Sequence, residues 1–167
     1  YLTSQREVAK QKKNISKVKY LFNITFFSKI LIITLLTPIF FFISSFLSIL
    51  NDKLTLVVIL WIYVIGVSIS FTWFLRGMGL GYISSIIESI GKIFIIFLIF
   101  ILIKKPGDEY LFFVIFSAVS YLSVFSMFLF SRKYVTIYLI GIKKITSYIK
   151  INLSLFTSHL LGNFLGQ

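Results

Sequence analysis

Residues 82–103 read YISSIIESIGKIFIIFLIFILI, and this stretch decides the fold. Its only charges are Glu88 and Lys92, and from Ile93 onward it contains nothing but isoleucine, leucine and phenylalanine. A helix needs about 20 predominantly apolar residues to cross the hydrocarbon core of a bilayer. Working outward, residues 30–50, 54–75 and 110–131 are as long and carry no charge. A fifth run, 151–167, is uncharged apart from His159 and stops with the chain. Hydrophobic residues make up 58% of the sequence and charged ones only 13%. A soluble domain of this size could not cover that much apolar surface. The expected fold is all-α, a polytopic transmembrane helical bundle of about five spans.

The net charge of +12 is set between the spans, and it alternates. Arg6, Lys10, Lys12, Lys13, Lys17, Lys19 and Lys29 precede the first span. The Asn51, Asp52, Lys53 connection is neutral, the next has only Arg76, and the one after balances Lys104 and Lys105 against Asp108 and Glu109. The last carries Arg132, Lys133, Lys143, Lys144 and Lys150. Basic connections stay on the cytoplasmic side, so the first, third and fifth are expected there. Charge arranged in this way is topological, and nucleic acid is not an expected partner; membrane lipids are. The chain has no cysteine, which excludes disulfides, thiolate metal sites and CxxC redox chemistry.

Four segments follow. Residues 1–29 form a cytoplasmic basic amphipathic segment, with Ile15, Val18, Phe22 and Phe26 at helical spacing and Lys10, Lys13 and Lys17 on another face. Residues 30–131 form four transmembrane helices arranged as two hairpins, because the connections near Asn51 and Pro106 are short. Residues 132–150 form a second cytoplasmic basic amphipathic segment, and 151–167 a truncated fifth transmembrane helix. Pro38 should bend the first span. Trp61, Tyr63 and Trp73 suggest aromatic belts at the membrane faces. Ser117, Ser120, Ser123 and Ser126 suggest a stripe that packs helices. The chain starts at Tyr1 rather than Met and ends inside an apolar run, as a piece of a longer protein would.

No catalytic constellation is visible, so no enzyme activity, cofactor or metal is expected. The triplets beginning at Asn14, Asn23 and Asn152 fall on the cytoplasmic side or in a span, where glycosylation is not expected. The informative residues are Glu88 and Lys92. Four apart, they share a helix face and can pair. Lys92 falls near the midplane, where an ionised group costs roughly 2.5 to 3.5 kcal/mol on insertion scales. Two readings stand: a neutralised pair that orients the helix, or a substrate or coupling-ion site on a transport pathway. Arg76 and His159 are further candidates, His159 being either a packing residue or part of a proton relay.

Taken in order, these features resemble the bacterial O-antigen flippases (Wzx type) of the multidrug/oligosaccharidyl-lipid/polysaccharide exporter superfamily. The basic segment from Arg6 to Lys19 precedes a proline-containing span. Trp73-Phe74-Leu75-Arg76-Gly77 is similar to the family's Trp-x-x-Gln-Gly turn after its fourth span, with Arg76 where the family has Gln. The helix that follows, polar first and Ile/Phe-rich later, looks like the fifth span, and the stretch from Lys150 to Ser158 like the entry to the seventh. The resemblance implies part of a transporter of twelve or more spans in the bacterial inner membrane. Its substrate would be an undecaprenyl-diphosphate-linked oligosaccharide, and its partner the remainder of its own chain. The alternatives are another secondary transporter of the superfamily, such as a drug/cation antiporter, and a membrane glycan polymerase. The small outside connections count against the polymerase.

Overall fold

A computed structural model describes residues 2–46, 54–105 and 108–165. Each element in it is an α-helix: α1 (Leu2–Gln11), α2 (Ile15–Phe46), α3 (Leu54–Ile69), α4 (Thr72–Gly77), α5 (Gly81–Leu102), α6 (Glu109–Ser131) and α7 (Ile142–Leu165). Four stretches among the described residues are long and apolar enough to cross a membrane: α2, α3 with α4, α5, and α6. The chain is thus an all-α, multi-span membrane protein. The fifth expected span lies in α7, which is not among those four stretches. The connection around Asn51 lies outside the described residues.

Neighbouring helices pack in the order α5, α6, α3, α2, α7, with α1 and α4 closing one end. Small residues allow the close approaches. A Cβ built on Gly66 of α3 would lie 3.0 Å from the Ser120 Oγ of α6, and one on Gly91 of α5 would lie 3.2 Å from Ser123 Oγ. Two members of the serine stripe therefore seat helices, as small residues do where lipid tails compete equally for apolar side chains. Ser117 adds a long hydrogen bond, 3.5 Å, to the Ile59 carbonyl.

The basic segments depart from the expected layout. Residues 1–29 do not form one continuous helix: α1 ends at Gln11 and α2 starts at Ile15. Instead α1 and the first half of α2 form an antiparallel helical hairpin. Ser4 and Thr25 both lie within hydrogen-bond distance of the Tyr148 hydroxyl, at 3.1 and 3.2 Å, and so stand at one level. The turn at Lys12–Asn14 stands well beyond them, closed by Asn14 N–H on the Gln11 carbonyl. The reason is in the apolar spacing: Val18 and Phe22 pair with Val8 and with α4 rather than with lipid. Helix α2 then continues without interruption past Lys29 and through Pro38, and Thr34 and Thr37 hydroxyls bond carbonyls one turn back. Residues 132–150 likewise divide differently. Residues 135–141 are non-helical, and α7 runs unbroken from Ile142 across the expected boundary at 151.

The core of this end is aromatic. Phe22 stacks on Phe71 with ring centroids 5.4 Å apart and meets Phe74 edge-on at 5.0 Å. Trp73, Phe74 and Leu75 are buried beside it. Trp73 is therefore enclosed by protein rather than exposed at a helix end, because α4 packs against α1. Gly77 makes that possible: a Cβ there would meet the Gln5 carbonyl oxygen and the Val8 side chain at 2.9 Å. Trp61 is also buried, stacked on Phe40 at 4.3 Å, with its indole N–H on the Thr37 hydroxyl at 3.3 Å.

Candidate functional site

The second apolar run is broken at Ser70 and Phe71, between α3 and α4. The sequence there, Ser68-Ile69-Ser70-Phe71-Thr72, places hydroxyls that offer the backbone local alternatives to helical bonding. Ser70 Oγ accepts the Thr72 N–H at 3.3 Å. Non-helical backbone at membrane depth is tolerated where it is enclosed by protein or lines a cavity, and here it does both. The Ser70 carbonyl receives the Lys29 ammonium at 2.9 Å, and that same ammonium lies 5.5 Å from the centre of the Trp73 ring. Lys29, expected as one more surface cation, is instead turned inward onto the helix break.

A chain of hydroxyls carries the break to α5. Ser70 Oγ lies 2.8 Å from Thr72 Oγ1, which donates to Glu88 Oε1 at 2.8 Å. Thr72 has one proton, so with that proton on Glu88 the Ser70 hydroxyl is the donor to Thr72. The thioether of Met127, on α6, lies 3.5 Å from Thr72 Oγ1. Four elements therefore meet at one polar cluster: α2, the α3–α4 break, α5 and α6.

Beside it opens a cavity of about 320 Å³ between α3, α5 and α6, lined among others by Tyr63, Ser70, Glu88, Lys92, Ser120 and Ser123. Glu88 and Lys92 thus share a wall, as their spacing predicts. They do not form the ion pair that the spacing permits: among the described residues no ion pair joins them, and the Glu88 carboxylate is engaged by Thr72 instead. Glu88 is half-buried, while Lys92 is exposed in the cavity. Such a wall can receive an anionic group on Lys92 while its serine and tyrosine hydroxyls bond neutral polar groups. Arg76 lies outside the cavity, exposed on α4, with its stem against Gly81. His159 falls on α7 beyond the residues whose side chains are described.

Sequence reasoning missed three residues that matter to this end. Asn23 is fully buried and uses its whole amide: Nδ2 donates to the Lys19 and Thr136 carbonyls at 2.8 and 2.9 Å, and Oδ1 accepts the Tyr138 N–H at 3.0 Å. It clamps the non-helical 135–141 segment to α2. Tyr148 ties α7 to the hairpin, accepting from Ser4 and Thr25 and donating to Glu7 at 3.3 Å. Burial raises its pKa, opposed by the Ser4 and Thr25 hydrogen bonds and reinforced by Glu7. Thr72 is the third. An asparagine or a threonine inside an apolar run was the available signal; its long-range partner was not. Compared with protein-family models, curated proteins and solved structures, the chain matches none.

Proposed function

We propose that this chain is part of an inner-membrane flippase that moves a lipid-diphosphate-linked oligosaccharide, with the cavity between α3, α5 and α6 on the substrate path. One observation carries the reading: Lys92 stands unpaired with Glu88 on the wall of a cavity that also presents serine and tyrosine hydroxyls, next to an interrupted helix. An ammonium near the middle of a span is retained at a cost of a few kcal/mol, and an anionic substrate group gives it a use. Broken helices beside midplane sites are a recurring device of secondary transporters. The cavity's hydroxyls offer hydrogen bonds to a glycan, while Val67, Ile95, Phe116 and Val119 make the rest of the wall apolar. The basic connections orient the break towards the cytoplasm of a bacterial cell.

The experiment is complementation of a flippase-deleted strain by the full-length gene. Lys92→Ala is expected to abolish surface glycan at an unchanged membrane level of the protein, while Lys92→Arg retains it. Glu88→Gln, which keeps an acceptor for Thr72, is expected to keep the fold and reduce transport. Normal export by Lys92→Ala removes the cavity from the path. Orientation is tested with single cysteines introduced into this cysteine-free chain. A cysteine at Asn51 should react with an impermeant thiol reagent added outside, and one at Ser147 should not.

A further inference from the structure

The segment joining α6 to α7 combines three properties that no helix of the bundle shares. It is non-helical over residues 135–141, its backbone is held from inside by Asn23, and it displays large apolar side chains outward. Leu139 is 87% exposed, and Ile137, Tyr138 and Ile142 are exposed with it. Val135, by contrast, is buried in the aromatic core and Ile145 is buried beyond, so both ends of the display are pinned. Four exposed cations flank it: Arg132 and Lys133 on one side, Lys143 and Lys144 on the other. Exposed apolar groups in such a cluster mark an interaction surface rather than ordinary solvated loop.

Its level in the bundle identifies what it meets. Asn23 stands on α2 seven residues before Ile30, where the exposed apolar band of α2 begins, a rise of about 10 Å. The headgroup layer outside the hydrocarbon is about 5 to 8 Å deep, so a side chain on this segment reaches it. The lipid-facing band is continuous on both flanks, through Leu129 and Phe130 of α6 and through Ile151 and Leu153 of α7. Apolar side chains ringed by lysine and arginine are the composition of interfacial anchors that prefer anionic lipid. We propose that residues 132–144 form a leaflet anchor, in which Ile137, Leu139 and Ile142 are seated in the headgroup layer while the four flanking cations engage the phosphates of anionic phospholipids. This reading is independent of what the protein transports. Asn23 is then the post that sets the depth of insertion, since it fixes the backbone on both sides of Ile137.

The test uses the full-length protein in nanodiscs, with an environment-sensitive dye on Leu139→Cys or, as a reference, on Lys13→Cys at the hairpin turn. In phosphatidylglycerol discs the dye at 139 should be shielded from an aqueous quencher and quenched by spin-labelled lipid, while the dye at 13 should be open to the aqueous quencher. Pure phosphatidylcholine should weaken the shielding at 139. Each cation near an anionic surface contributes about fivefold to partitioning, so Lys143→Gln with Lys144→Gln should shift the inserted-to-withdrawn ratio more than tenfold. A dye at 139 as open to water as the one at 13 overturns the proposal. Shielding without any quenching by spin-labelled lipid overturns it as well, because protein then covers the segment.

Discussion

The two ends of this molecule are held together by different physics. At the basic end, α1, α4, the first half of α2 and the 135–141 segment enclose an aromatic cluster around Phe22, crossed by side-chain hydrogen bonds from Asn23, Tyr148 and Lys29. Deeper in the bundle, α3, α5 and α6 touch through Gly66 with Ser120 and Gly91 with Ser123, and turn most large side chains outward. Water drives burial at the first end and cannot at the second, where a phenylalanine facing lipid loses little by staying there. Size of a side chain therefore predicts its structural weight only after its position along the membrane normal is known.

The largest effect should separate two phenylalanines. Phe22 is 0% exposed and contacts four aromatic rings, whereas Phe100 of α5 is 77% exposed. Phe22→Ala is expected to destabilise the protein by about 3 to 5 kcal/mol, and Phe100→Ala by roughly 0.5 kcal/mol or less. Thermal unfolding in detergent or nanodiscs reads both, and equal losses would dissolve the contrast. Next come the glycines. Gly77→Ala drives a methyl into the Gln5 backbone at 2.9 Å, where nothing can rotate away, and should cost about 1 to 3 kcal/mol. Gly91→Ala meets the side-chain tips of Ser123 and Val119 at 3.2 Å, which can yield, so a smaller loss is expected.

The same contrast explains what could be read from the residues. Spans were legible because a lipid-facing helix announces itself by length and composition alone, as residues 82–103 do. The shared wall of Glu88 and Lys92 was legible because helical spacing is local. The hairpin of α1 on α2 was not, since Val18 and Phe22 look the same whether they face lipid or Val8. Nor was the break at Ser70. Three hydroxyls in an apolar run suit a polar stripe as well as an interruption, and only the Lys29 ammonium on the Ser70 carbonyl distinguishes the two. The failed ion pair has the same cause: Thr72 competes for Glu88 from sixteen residues away.

Asn23 sharpens the comparison at a single residue. Asn23→Leu preserves volume but leaves the Thr136 carbonyl and the Tyr138 N–H without their buried partner. A loss of about 1 to 3 kcal/mol is expected, confined to the basic end. Hydrogen exchange should therefore accelerate at the Tyr138 amide while the amides of α5 and the outer part of α6 stay protected. Uniform acceleration would mean that the two ends unfold as one unit.

A last, small effect belongs to the boundary between the ends, at Thr72. Its hydroxyl links the break to Glu88, accepting from Ser70 and donating to the carboxylate. Thr72→Val keeps the shape and removes both bonds, which should cost about 1 kcal/mol. Glu88→Gln weakens the same bond by removing the charge on its acceptor. If the two residues act through each other, the double variant should lose less than the sum of the singles, with a coupling of about 0.5 to 1.5 kcal/mol. Additive losses would mean that Thr72 stabilises the break and Glu88 does something else. The comparison then predicts where the coupling appears. A bond that ties the basic end to the cavity should slow exchange at α4 as well as at α5, whereas a bond confined to the cavity should leave α4 unchanged.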